Sequence, residues 1–229
     1  MPIPLDALSY TALNLHTANK SPKSLCGIGI YVIERGKSVL LKYILVKPNT
    51  KSFTYEQYGY FRKDDLLHAP TLPEIWPELS KYIVGKNIVV YNIEQTLRIL
   101  HDSLKSCGIE MPDFNAVDVC DMFNTNHGSY TYASLAATCG YDDEFENGDV
   151  YENLKLYRAC IEYGARRGNT ILQKVFGAQS VKSDSLPQND KPVFTSSSDF
   201  GENNAGCSGC LGCLIPVLFV FVAIIWILK

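Results

Sequence analysis

The chain has 229 residues, a formal net charge of −3, 46% hydrophobic residues and 11% aromatic ones. That length fits one ordinary domain with an appendage, and the apolar share is enough for a real core. Near-neutrality excludes a protein held on nucleic acid by bulk positive charge alone, which needs a basic surplus.

Met1–Tyr10 has neither the basic start nor the apolar run of a secretory signal, so the head is expected in the cytoplasm with its thiols reduced. Five of the eight cysteines (Cys26, Cys107, Cys120, Cys139, Cys160) sit singly among apolar neighbours and read as reduced core residues. Thr11–Leu15, Cys26–Ile33 and Val39–Val46 read as strands, and Arg35-Gly36-Lys37 between the last two is a hairpin signal. Leu72–Val84 carries Leu72, Ile75, Trp76, Leu79 and Ile83 at helical spacing, with Pro73 in its first turn and Gly85 beyond its end. Asn87–Val90 reads as a short buried strand, Leu97–Ser106 as a helix and Ala116–Val117 as a last strand. Tyr132–Thr138 and Tyr151–Tyr163 read as helices. Three strands followed by alternating helix and strand predict an α/β fold, a mixed sheet flanked by helices.

Ala178–Gly206 is rich in Ser, Asn, Asp, Gly and Pro and reads as a flexible linker. Leu211–Leu228 contains no charged residue. As a helix it spans roughly 27 Å, close to the hydrocarbon thickness of a bilayer. It is expected to be a single-pass C-terminal transmembrane helix, with Trp226 and Lys229 at the far interface and the head in the cytoplasm. Three thiols, Cys207, Cys210 and Cys213, precede it. They fall short of a four-ligand zinc site and stand where reversible lipidation occurs. The expected organisation is a head over 1–177, a flexible linker with a Cys-rich end over 178–210, and an anchor over 211–229.

A series of blocks runs through the head in one register: TALNLHTAN (Thr11–Asn19), SLCGIGI (Ser24–Ile30), HAPTLPEIWPEL (His68–Leu79), VVYNIEQTLRIL (Val89–Leu100) and YTYASLAATCGY (Tyr130–Tyr141). Over roughly Thr11–Ile161 the chain resembles the DEDDh 3′–5′ exonucleases, the family of polymerase proofreading subunits. The resemblance implies an RNase H-like fold, nucleic acid as partner, and two Mg2+ or Mn2+ ions held by four carboxylates beside a histidine that activates water. The family's Asp-x-Glu-Thr corresponds to Asn14-Leu15-His16-Thr17. Its His-Asn-Ala-x-Phe-Asp corresponds to Tyr91-Asn92-Ile93-Glu94-Gln95-Thr96. Counting without gaps from Gly140 puts Glu146 at the histidine, Gly148 at the alanine and Tyr151 at the last aspartate of His-x-Ala-x-x-Asp.

Asn14, His16, Thr96, Glu146 and Tyr151 thus stand at the catalytic positions, each substituted, while Thr17 and Asn92 keep family residues that would contact nucleic acid. Magnesium is a hard cation that wants oxygen ligands with negative charge, and Tyr151 would have to ionise far below a phenol's usual pKa near 10. No cofactor and no metal ligand is therefore expected. The rival is a nuclease with a remodelled site, in its simplest form one metal between His16 and Glu146. Asp118 reads as a helix cap, and the run Asp142-Asp143-Glu144 through Glu146 to Asp149 suits a helix N-terminus. The aromatic stretch Phe53–Phe61 suits base stacking or a protein-binding surface equally. The chain is therefore expected to be an inactive exonuclease-like domain at a membrane, binding nucleic acid or a protein partner.

Overall fold

The computed structural model describes residues 1–56, 61–123, 130–141 and 149–176. Its strands are β1 (Tyr10–Thr17), β2 (Leu25–Glu34), β3 (Lys37–Leu45), β4 (Asn87–Val90) and β5 (Asn115–Asp118), in the spatial order β3-β2-β1-β4-β5. The first three form an antiparallel meander, whereas β4 pairs parallel to β1 and β5 parallel to β4. Parallel neighbours need crossover connections. Here α1 (Lys63–His68) and α2 (Leu72–Leu79) lie between β3 and β4, and α3 (Ile93–Ser106) lies between β4 and β5. Helices α4 (Tyr132–Cys139), α5 (Val150–Arg166) and α6 (Thr170–Phe176) complete the described chain. The mixed sheet flanked by helices is as expected. The linker 178–210 with Cys207 and Cys210, and the anchor 211–229 with Cys213, lie outside the described residues. Among the described residues no helix is long and apolar enough to cross a membrane.

Boundaries moved where side chains, rather than periodicity, set the ends. The helix expected over Leu72–Val84 stops at Leu79 and tightens into a 3₁₀ turn at Ser80–Tyr82. Its start is a reciprocal cap: the Thr71 N–H donates to Glu74 Oε2 at 2.7 Å, and Thr71 is the N-cap. Helix α3 begins at Ile93, four residues before its apolar face, because two side chains take up its first donors. Asn92, in the left-handed region at φ 55, accepts from the Gln95 N–H at 3.2 Å, and Asp118 Oδ2 accepts from the Ile93 N–H at 2.7 Å. The other Asp118 oxygen accepts from the Cys120 N–H at 2.9 Å and opens the 3₁₀ turn Val119–Met122. Asp149 caps α5 by accepting from the N–H groups of Tyr151 and Glu152. Of the five head cysteines, all free, Cys26 and Cys160 are buried while Cys107, Cys120 and Cys139 are half-buried.

Each strand alternates its side chains between two layers. Leu13, Ile28, Ile30, Val32, Ile88 and Val90 face α2 and α3, where Leu72, Leu79, Leu100 and Leu104 complete a buried apolar cluster. Tyr10, Ala12, Tyr31 and Ile33 face the other way, against Leu154, Tyr157 and Ile161 of α5 and Leu135 of α4. The hairpin between β2 and β3 turns on Arg35 and Gly36, both at positive φ (49° and 72°), the geometry that two-residue hairpins favour. That turn is held from two directions. The Gly36 N–H donates to the Leu8 carbonyl at 2.8 Å, and Arg158 of α5 donates to the Gly36 carbonyl at 3.2 Å and to the Tyr31 hydroxyl at 2.8 Å.

Candidate functional site

Alternation along β1 puts Asn14 and His16 on the layer that faces α5, next in line after Tyr10 and Ala12. Their partners across the β1–β2 pairing are both glycines, Gly29 opposite Asn14 and Gly27 opposite His16. The absence of two Cβ atoms is what lets other groups come down onto the sheet here. A Cβ at Gly29 would lie 2.4 Å from Val150 Cγ1 and 3.0 Å from Leu154 Cδ1, and one at Gly27 would lie 2.0 Å from the Tyr43 hydroxyl. Helix α5 therefore seats its first turns directly beside Asn14, and the Tyr43 phenol lies across Gly27 towards His16.

Asn14 is 6% exposed. Its carboxamide Nδ2 donates to the Tyr157 hydroxyl at 2.9 Å and to the Tyr132 hydroxyl at 3.4 Å. Those two hydroxyls are 2.8 Å apart and their rings are near-parallel, at 9°. Tyr91 packs on Tyr132 with ring centroids 4.4 Å apart and donates to the Tyr130 carbonyl at 2.5 Å. Burial pushes the Tyr132 phenol up to about 12 and the Tyr157 phenol well above its ordinary value, so both stay neutral. Tyr157 was not singled out from sequence. A tyrosine on the apolar face of a helix reads as core, and nothing in its spacing tells that its hydroxyl ends on Asn14.

His16 meets the Tyr43 hydroxyl at 3.4 Å through Nδ1, with the rings edge-on at 62°. Burial depresses its pKa to about 4, leaving a neutral imidazole at pH 7. Thr17, half-buried, follows a register irregularity in the β1–β2 ladder. Thr96 is buried, and its hydroxyl donates to the Tyr91 carbonyl at 2.9 Å. Asn92 serves as the α3 cap described above. Tyr151, on the first turn of α5, is 42% exposed; the α5 residues beside Asn14 are Val150, Leu154 and Tyr157. Glu146 and Gly148 lie outside the described residues, as does the acidic run 142–144. Of the expected site residues, Asn14 and His16 share one face at the end of β1, and Thr96 and Asn92 stand at the adjoining start of α3.

The resemblance implies a pair of divalent cations at this place, and the donors among the described residues do not suit them. Asn14 offers a neutral carboxamide, Tyr132 and Tyr157 offer un-ionised phenols, and the Thr96 hydroxyl is committed to the Tyr91 carbonyl. Asp118, also buried, spends one oxygen on Ile93 and the other on Cys120. Among the described residues no group of three or more His, Cys, Asp or Glu is arranged to hold a metal ion. Hard cations need several oxygens with net negative charge. What this arrangement does supply is a row of aromatic faces and neutral polar atoms along the end of the sheet.

Of the aromatic stretch, Phe53 and Tyr55 are half-buried, packed with Ala18, Cys26, Phe61 and Leu66 in a small core of their own. Residues 57–60 are outside the described set.

No protein-family model matches the chain, and no curated protein matches it. Among solved structures it is similar to exonuclease X in complex with 5′ overhanging duplex DNA. That likeness covers 73% of this chain and 93% of the other, with a TM-score of 0.51 at 12% identity. The chain has an exonuclease-like fold. A likeness at that identity speaks to architecture, while activity depends on particular residues.

Proposed function

We propose that this chain is an exonuclease-like domain that has lost metal-dependent hydrolysis and acts by binding nucleic acid, held at a membrane by its C-terminal segment. The observation that carries this is the Asn14 carboxamide locked onto the Tyr157 and Tyr132 hydroxyls, where the family's chemistry calls for carboxylates. In support, the phenols stay un-ionised, and Asp118, among the described residues the one buried carboxylate, is used up in capping two turns. The structural neighbour is bound to DNA, and the half-buried rings of Tyr91 and Tyr43 are of the kind on which unpaired bases stack, whatever their sequence. Leu211–Leu228 carries no charge over the length a bilayer core demands.

The test uses the full-length chain in detergent micelles, with labelled single-stranded DNA, single-stranded RNA and a duplex with a 5′ overhang, in magnesium or manganese. The expected result is retention of the strand without shortening, weakening steeply as salt rises. Shortening that disappears in Asn14→Ala would sink the inactive assignment. Absence of retention on all three probes would turn the assignment to a protein partner. Liposome flotation of the chain, lost on removal of residues 211–229, tests the anchor separately.

A further inference from the structure

We propose that Cys139 and Cys160 form a reversible disulfide when the chain meets a peroxide, a covalent modification that pins α4 to α5. The two sulfurs lie 3.6 Å apart. A disulfide needs about 2.05 Å, so roughly 1.5 Å must close. Cys139 is placed to close it. It is the last residue of α4, and the chain turns immediately at Gly140 in the left-handed region, φ 64. Its side chain is half-buried, which gives a small oxidant access, whereas Cys160 is fully buried against it as the partner that a first oxidation product would meet.

The pair also divides the chemistry between its members. Hydrogen bonding between the two thiols lowers the Cys139 pKa, and the same bond together with burial raises that of Cys160. A third thiol near the pair, Cys120, is pushed up to about 12 by burial and by the Asp118 and Asp121 carboxylates, and Cys26 is pushed up to about 12 by burial. Thiolate character decides which cysteine reacts, and among these it favours Cys139. The Cys139 thiolate attacks one oxygen of hydrogen peroxide, breaking the O–O bond to give a sulfenic acid and hydroxide. The Cys160 sulfur then displaces the sulfenic oxygen, the S–S bond forms, and the Cys160 proton leaves in the released water. In sum two thiols lose two electrons and two protons, and one peroxide becomes two waters.

The bond would act on the polar cluster around Asn14. Tyr132 stands two turns before Cys139 on α4, and Tyr157 one turn before Cys160 on α5, so the cysteines and the paired hydroxyls share one seam. Joining the sulfurs fixes the phenols against Asn14. The disulfide depends on the thiol geometry alone and stands apart from what the domain binds.

The experiment treats the full-length chain in detergent micelles with hydrogen peroxide, then maps its peptides by mass spectrometry and measures thermal unfolding with and without dithiothreitol. The expected outcome is a Cys139–Cys160 cross-linked peptide, two hydrogens lighter, with Tm raised by roughly 5 °C and restored by the reductant. Cys139→Ser removes both the link and the rise. Accumulation of Cys139 as a sulfinic acid without a link overturns the proposal, as does a link from Cys139 to Cys120 or to the cysteines before the anchor. The peptide map of the unsubstituted chain decides the matter even where a variant folds poorly.

Discussion

The two faces of the sheet are made by alternate residues of the same strands, yet they are built on different principles. On the α2/α3 face Leu13, Ile28, Ile30, Val32 and Ile88 meet Leu100 and Leu104 in one apolar cluster. On the α5 face the row Tyr10, Ala12, Asn14, His16 passes from hydrocarbon into hydrogen-bonded amide, phenol and imidazole. Apolar packing is non-directional and forgiving of small shifts. A buried polar group is neither, because losing one partner leaves the other unsatisfied. Of the two layers, the second is the one a change of function could remodel: the Asn14 Nδ2 and the Tyr132 and Tyr157 hydroxyls are committed to one another, while Asn14 Oδ1 has no partner among the described residues.

Three perturbations would break or sharpen this contrast. Leu100→Ala in the apolar layer should cost about 3 kcal/mol of unfolding free energy through lost burial and a residual cavity. Urea denaturation reads this directly, and a loss below about 1 kcal/mol would show that the layer collapses around the gap. Tyr157→Phe in the polar layer should cost about 2 kcal/mol by leaving Asn14 and Tyr132 short of a partner. Adding Asn14→Val should cost far less than the two single losses combined, because the demand disappears together with its supply. Strict additivity in that double-mutant cycle would mean the hydroxyl and the amide do not depend on one another.

The smallest effect concerns His16. Its folded pKa, about 4, lies below the unfolded value of 6.5, so between these pH values the unfolded chain takes up a proton that the folded chain refuses. Stability from this source is complete above pH 6.5 and falls as pH drops towards 4. The expected loss is on the order of 1 kcal/mol, held down by the partial exposure of the ring. His16→Gln should flatten that part of the profile in thermal melts at a series of pH values. An unchanged slope would place the titration elsewhere.

The two layers were also unequally legible from the residues alone. The strands CGIGIYVI and VLLKYILV, with Arg35-Gly36 between them, announce a hairpin because both faces of β2 are buried and the turn demands positive φ. The extra residues at the ends of β1, β2 and α5 carry no periodic signal and are set by pairing and caps. Helix α1 escaped notice because its six residues hold a single buried apolar side chain, Leu66. Helix α6, seven residues long, is held mainly by Leu172 and Phe176 burying against elements far away in the chain. In the candidate site, the substitution of Asn14 and Thr96 could be read from the motif blocks. That Asn14 would be met by Tyr157 could not, since the contact spans 143 residues and depends on where α5 lands. Nor does ungapped counting to Tyr151 anticipate that Val150 and Leu154 are the residues that settle over Gly29.

The clasp of Arg158 on the hairpin turn has a consequence in time. Gly36 and Tyr31 leave the ribosome early, and the guanidinium that binds them follows 122 residues after Gly36. Domains fold as units while synthesis proceeds from the N-terminus, so the meander must wait, with one face bare, until α5 has been made. Any delay in translating α5 lengthens the period in which β1 and β2 expose Tyr10, Ala12, Tyr31 and Ile33 to other chains. The nascent head is thus most vulnerable to aggregation just before α5 arrives, and chaperone dependence should track the rate at which residues 150–166 are made.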